Sequence, residues 1–208
     1  MKNWLKFAAA LMIGAFVFTS CESEVTLTVP DDVTIELGDS FDPMEGVSVS
    51  GANLEDVTVL ENPAFSNVLV NHYVFSYIVD GESAQRNVYV SSSRLAGSYA
   101  VEDAVDGGGT INYTMTVTQS TVDFNRLLIS NFLGFGANFQ GQAIVEGTAV
   151  TVPRFTPSGW DPAESIEATG TYDGETRRLL TLSYTIIELD PAGGDNLVTT
   201  GTATLTKQ

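Results

Sequence analysis

Apolar and polar residues alternate along most of this chain, in short runs separated by turn residues. In Tyr113-Thr114-Met115-Thr116-Val117-Thr118 the period is two, apolar on one side and threonine on the other, the signature of a half-buried strand. Similar runs occupy residues 96–102, 111–119, 124–131, 143–145, 149–152, 166–172, 179–188 and 198–206. Asp106 to Gly109, Glu146-Gly147, Asp173-Gly174 and Gly193-Gly194-Asp195 punctuate them as turns. Eight antiparallel strands with local connections predict a meander forming a barrel or a barrel-like sandwich. At that strand number a barrel either fills with side chains or holds one small ligand.

Upstream the strand signals are shorter and closer together. Residues 25–29 and 33–37 alternate around Pro30-Asp31-Asp32, residues 47–49 and 57–59 are brief, and residues 73–79 and 87–90 pair about Asp80-Gly81-Glu82. Six or seven such strands in residues 25–90 predict a small sandwich. The polar tripeptide Ser91-Ser92-Ser93 separates it from a second domain at 94–208. The expected fold class is therefore all-β, a sandwich followed by the eight-stranded meander.

Residues 1–20 follow a different pattern. Lys2 and Lys6 precede an uncharged run from Phe7 to Phe18, and Phe18-Thr19-Ser20 leads into Cys21, the single cysteine. A basic start, an apolar centre and small residues before a cut describe a secretory signal. The run is too short for a membrane span, which takes about 20 apolar residues, and Glu22-Ser23-Glu24 ends it. A cysteine directly after the cut resembles the lipobox of bacterial lipoproteins. That resemblance implies that Cys21 carries lipid and that residues 21–24 are its tether.

Charge removes several function classes. Without Lys2 and Lys6, the 9 Lys and Arg fall to 7 against 26 Asp and Glu, a net of −19. Phosphate backbones and anionic lipid surfaces are bound by clustered Lys and Arg, so neither nucleic acid nor an anionic membrane face is an expected partner. With Cys21 lipidated no disulfide can form, and the cores must suffice. Catalysis has little to work with: the one histidine, His72, opens a predicted strand and reads as a surface or edge residue with no free cysteine to activate, and zinc ligands cannot be assembled. Gly107-Gly108-Gly109 lacks the Lys-Ser/Thr end of a phosphate loop and reads as a hairpin loop. Asp103-Ala104-Val105-Asp106-Gly107 and residues 190–196 lack the spacing of a calcium loop and read as solvated turns. No enzyme activity, metal or cofactor is expected.

Aromatic residues supply the candidate site. Trp160, in Pro157-Ser158-Gly159-Trp160-Asp161-Pro162, lies on a loop where an indole stacks on a sugar or plugs a barrel end. Phe132, Phe135 and Phe139 lie in a Gly-punctuated stretch that either covers the core or walls a binding mouth, and Phe155 with Arg154 belongs to the same end as Trp160. The candidate ligand-binding residues are Trp160, Phe155, Phe132 and Phe135. Arg177-Arg178, the one basic pair after the signal, reads as the rim of a hairpin.

Two family resemblances complete the picture. Val33-Thr34-Ile35-Glu36-Leu37-Gly38-Asp39-Ser40-Phe41-Asp42-Pro43, with Tyr73 to Asp80 and Arg86-Asn87-Val88-Tyr89-Val90, resembles the opening and closing lines of bacterial immunoglobulin-like modules, which mostly act as spacers. Leu95 to Tyr99, Tyr113 to Val117, Ile129 to Gly136, Gly170-Thr171-Tyr172 and Thr202 to Lys207 are together similar to the C-terminal β-domain of Bacteroidetes-type surface lipoproteins, some described as lipocalin-like. Glu22 and Glu24 after the cysteine resemble that group's signal for export to the outer face. The resemblance implies a lipid-anchored, outward-facing outer-membrane protein that binds without catalysis. Its ligand would be a glycan or other nutrient captured beside an uptake complex. The alternatives are a lipocalin-like carrier of a small apolar ligand and a structural scaffold.

Overall fold

The computed structural model describes residues 24–159, 164–190 and 194–208. Its second half is a closed barrel of β7 (Gly97–Val105), β8 (Thr110–Gln119), β9 (Arg126–Ser130), β10 (Gln140–Glu146), β11 (Ala149–Phe155), β12 (Glu164–Asp173), β13 (Arg178–Glu188) and β14 (Leu197–Lys207). Each strand pairs antiparallel with its neighbour in sequence, and β14 pairs with β7 to close the ring. Closure leaves no edge strand to recruit another chain. The sequence-predicted runs coincide with these eight strands and differ mainly at their ends.

Alternation decides what faces where. Along β8, Met115 and Val117 are buried, while Thr114, Thr116 and Thr118 face solvent. Along β14, Ala203 and Leu205 are buried between exposed Thr202, Thr204 and Thr206. The wall is thus apolar inside and hydroxyl-rich outside, the reverse of a barrel that spans lipid. Two irregularities break the pattern: the β11–β12 register shifts between Val152 and Phe155, and the β12–β13 register between Thr171 and Tyr172, so that Leu179 and Leu182 both face inward three residues apart.

The first half holds six strands: β1 (Thr26–Thr28), β2 (Val33–Glu36), β3 (Ser48–Ser50), β4 (Thr58–Asn62), β5 (Asn71–Val79) and β6 (Glu82–Ser91). They form a four-stranded sheet of order β2-β6-β5-β4, with β2 parallel to β6, and a two-stranded β1–β3 ribbon. Its core is aromatic: Phe41 and Phe65 pack on Phe75 with centroids 5.2 and 5.7 Å away. The Tyr77 hydroxyl donates to the Pro43 carbonyl at 2.7 Å. The Gly38-to-Pro43 line therefore folds over the sheet and closes its core.

The two halves share one continuous hydrophobic core. Ser91-Ser92-Ser93 is a buried joint: Ser92 is fully covered, donates its hydroxyl to Gln119 at 2.7 Å and starts a short 3-10 turn. Val70 bridges to Gly147, and the buried Tyr172 hydroxyl accepts from the Val70 N–H at 2.8 Å while donating to the Gly147 carbonyl at 2.6 Å. Arg94 spans the joint to Glu36 and Asp39 at 2.7 and 2.6 Å. Arg177 lies at the hairpin between β12 and β13, as the sequence suggests, and its guanidinium lies against Gly38 of the first half with Nε buried. Strand direction puts this joint at one end of the barrel, with residues 92–96, 120–125, 147–148 and 174–177. The other end carries residues 106–109, 131–139, 156–159, 189–190 and 194–196.

Candidate functional site

Among the described residues, the barrel is packed at the joint end and open at the far end. Near the joint Tyr99 fills the bore, its hydroxyl donating to the Leu95 carbonyl at 2.6 Å and accepting from the Leu179 N–H at 3.3 Å. Val101, Met115, Leu127, Ile129 and Leu205 complete the filling. Above them lies a chamber of about 410 Å³, lined by Asp103, Tyr113, Leu133, Phe135, Tyr184 and Ile186, with Val105, Ile111 and Thr199 at its mouth. Both fates open to an eight-stranded barrel are realised, one at each end.

Asp103 makes this chamber unusual. It continues the inward set Tyr99, Val101, Asp103 on β7 and is 2% exposed. One oxygen, Oδ2, accepts from the Tyr184 hydroxyl at 3.2 Å, and Oδ1 has no partner. The Tyr113 hydroxyl, in the same chamber, is also buried without a partner. Two unmet polar atoms in one buried space cost roughly 1–3 kcal/mol each, so natural folds rarely leave them without a reason.

Local packing places the three groups. Tyr184 stands opposite Gly201 in the β13–β14 register, and a Cβ there would collide with its ring and hydroxyl and with the Ala104 carbonyl. The bare glycine lets the phenol lie across β14 and reach Asp103 on β7. Gly134, at φ 74° in the 3-10 turn Phe132–Gly134, rests against the Tyr113 ring, where a Cβ would sit 3.1 Å from Cδ1. That turn covers the chamber's flank with Leu133.

Electrostatics follow from burial. Desolvation raises the Asp103 carboxyl above its usual range, opposed by the Tyr184 hydrogen bond. Both phenols are raised well above theirs, Tyr113 by desolvation and then by the Asp103 charge, Tyr184 by the same causes and by donating its proton to Asp103. The phenols are therefore neutral hydrogen-bonding groups at any physiological pH. No cluster of three or more His, Cys, Asp or Glu suited to a metal exists among the described residues.

No protein-family model and no curated protein matches the chain. Among solved structures it is similar to a mutant of the vaccine antigen Transferrin Binding Protein B from Haemophilus parasuis Hp5, at 12% identity over 76% of this chain, with a TM-score of 0.24. The chain spans 43% of that structure. At that score the likeness carries neither fold nor function across.

The sequence-predicted aromatics separate in space. Phe132 is fully buried and packs at 6.5 Å from Phe155, so it builds the wall and presents no surface to a ligand. Phe135 is 49% exposed, lines the chamber and packs on Phe139 at 5.0 Å. Phe155 faces a separate groove of about 350 Å³ on the barrel wall with Gln140, Gln142, Pro153 and Arg154. Trp160 and Cys21 lie outside the described residues. His72 is exposed and stacks on Tyr89 at 4.7 Å. Asp103 overturns its reading as part of a solvated turn: the strand runs on to Val105, and the acid is buried. The signal that finds it is parity, because counting by twos from Tyr99 puts an aspartate on the apolar face.

Proposed function

We propose that this protein is a lipid-anchored, non-catalytic binding protein of the cell surface that holds a small ligand in the open chamber of its barrel. The observation that supports this best is the pair of unmet polar atoms, Asp103 Oδ1 and the Tyr113 hydroxyl, inside a cavity of ligand size. A ligand that bonds both while filling the apolar rim removes their desolvation cost on binding. Of the sequence-derived readings, the lipocalin-like carrier fits this geometry best, with the change that its ligand has a polar head.

In this reading the first half is the immunoglobulin-like spacer. It leads from the Cys21 anchor and joins the packed end of the barrel, so the chamber opens away from the tether. Capture of a nutrient for an outer-membrane uptake complex is the role such an orientation serves.

A thermal-shift screen of small metabolites tests the proposal. Binders should raise the melting temperature of the wild-type protein. The plug variant Thr199→Trp at the mouth should lose that response, while Thr116→Trp on the outer wall keeps it. The proposal fails if no compound stabilises the protein, or if stabilisation survives the plug.

A further inference from the structure

The chamber's chemistry narrows the ligand class, on the reading that the chamber binds a small molecule. Asp103 Oδ1 is buried and lacks a donor. The barrel supplies no cation to meet it. Arg126, Arg177, Arg178 and Lys207 lie toward the joint end of their strands or turns, as does Arg94. Arg154, toward the open end, is held on the outer wall by Glu167 at 3.0 Å.

The mouth adds negative charge. Glu164 and Glu188 stand directly opposite in the β12–β13 register at the open end of these strands, two residues beyond the buried Ile166 and Ile186, with Glu188 exposed. Like charges opposed across strands are destabilising. Asp106 lies close enough to Tyr184 to act on its titration. A low-dielectric bore with acids at its mouth focuses the field on whatever enters and favours a positive solute. The aromatic surfaces of Tyr113 and Tyr184 suit the same charge.

We propose that the chamber binds an organic cation, a primary or secondary ammonium on a compact apolar or aromatic body, with its N–H donating to Asp103 Oδ1. The apolar body occupies the rim of Ile111, Leu133, Phe135 and Ile186. A charge-assisted bond to a carboxylate is about twice as strong as a neutral one, and this separates an ammonium from an alcohol of the same shape.

Matched pairs test that distinction: phenethylamine against 2-phenylethanol, tryptamine against tryptophol, and hexylamine against hexanol, titrated calorimetrically into the full-length protein. At least one amine should bind about tenfold or more tighter than its alcohol, a difference of about 1.4 kcal/mol. Asp103→Asn should bring that pair to near-equal affinity. Glu164→Gln with Glu188→Gln should slow amine association and flatten its dependence on salt, with Asp103 intact. The wild-type pairs decide the matter even if Asp103→Asn folds poorly. Alcohols that bind as tightly as amines overturn the cation and leave the chamber reading standing. If no member of any pair binds, the cation again falls, while the chamber reading is judged by the metabolite screen with its plug variant.

Discussion

Asp103 shows how much one inward position can carry. Its raised carboxyl is a statement about stability as well as binding. Between the ordinary value of 3.8 and the higher folded value, the native state keeps a proton that the unfolded chain has released. Stability therefore falls as pH rises through that window, and above it the whole penalty is present. Asp103→Asn should stabilise the protein at pH 7 by about 1–3 kcal/mol, a gain that vanishes as pH drops to about 3.8, followed by urea denaturation across pH. Gly201→Ala should act oppositely. The added methyl meets Tyr184 and the Ala104 carbonyl, costing about 1–3 kcal/mol and displacing the phenol from Asp103, so both the denaturation midpoint and amine binding fall. Parity along β7 carries the signal for Asp103 that its reading as a turn residue passed over, whereas nothing local to Gly201 names the ring lying across it.

Strands were the most legible elements, because an inside–outside period of two is written into each run without reference to its neighbours. Irregularities were not. The bulge between Thr171 and Tyr172 turns Leu179 and Leu182 inward together, and only the pairing with β12 reveals it. Tyr172 is readable as an inward residue, yet its work is done across the joint, on Val70 and Gly147. Burial pushes its phenol up to about 12, so it stays a neutral donor and acceptor. Tyr172→Phe should leave the Val70 N–H without its side-chain partner and cost about 1–3 kcal/mol, seen as a lower urea midpoint at unchanged slope. Arg177 is a similar case: the sequence shows a basic pair at a hairpin, and the fold presses its guanidinium against Gly38, far away in the chain.

For the whole molecule the first expectation concerns address. On the proposed lipidation, Cys21→Ser should move the protein from the membrane fraction to the soluble one, because it removes acyl chains that hold by about 0.8 kcal/mol per buried methylene. Membrane retention of that variant would refute lipidation as the anchor. The sequence by itself determined the all-β class, the eight barrel strands, the hydroxyl-rich outer wall and the acidic character of the chain. Those properties depend on side-chain period and on charge, which are local or additive along the chain. Tertiary structure alone decided that the two halves share a core, that β14 closes on β7, and that one end is packed while the other is hollow. It also decided that Asp103, Tyr113 and Tyr184, scattered over three strands, face one space. Which side chains converge depends on register, shear and the volumes of residues distant in sequence, and those quantities exist only once the ring has closed.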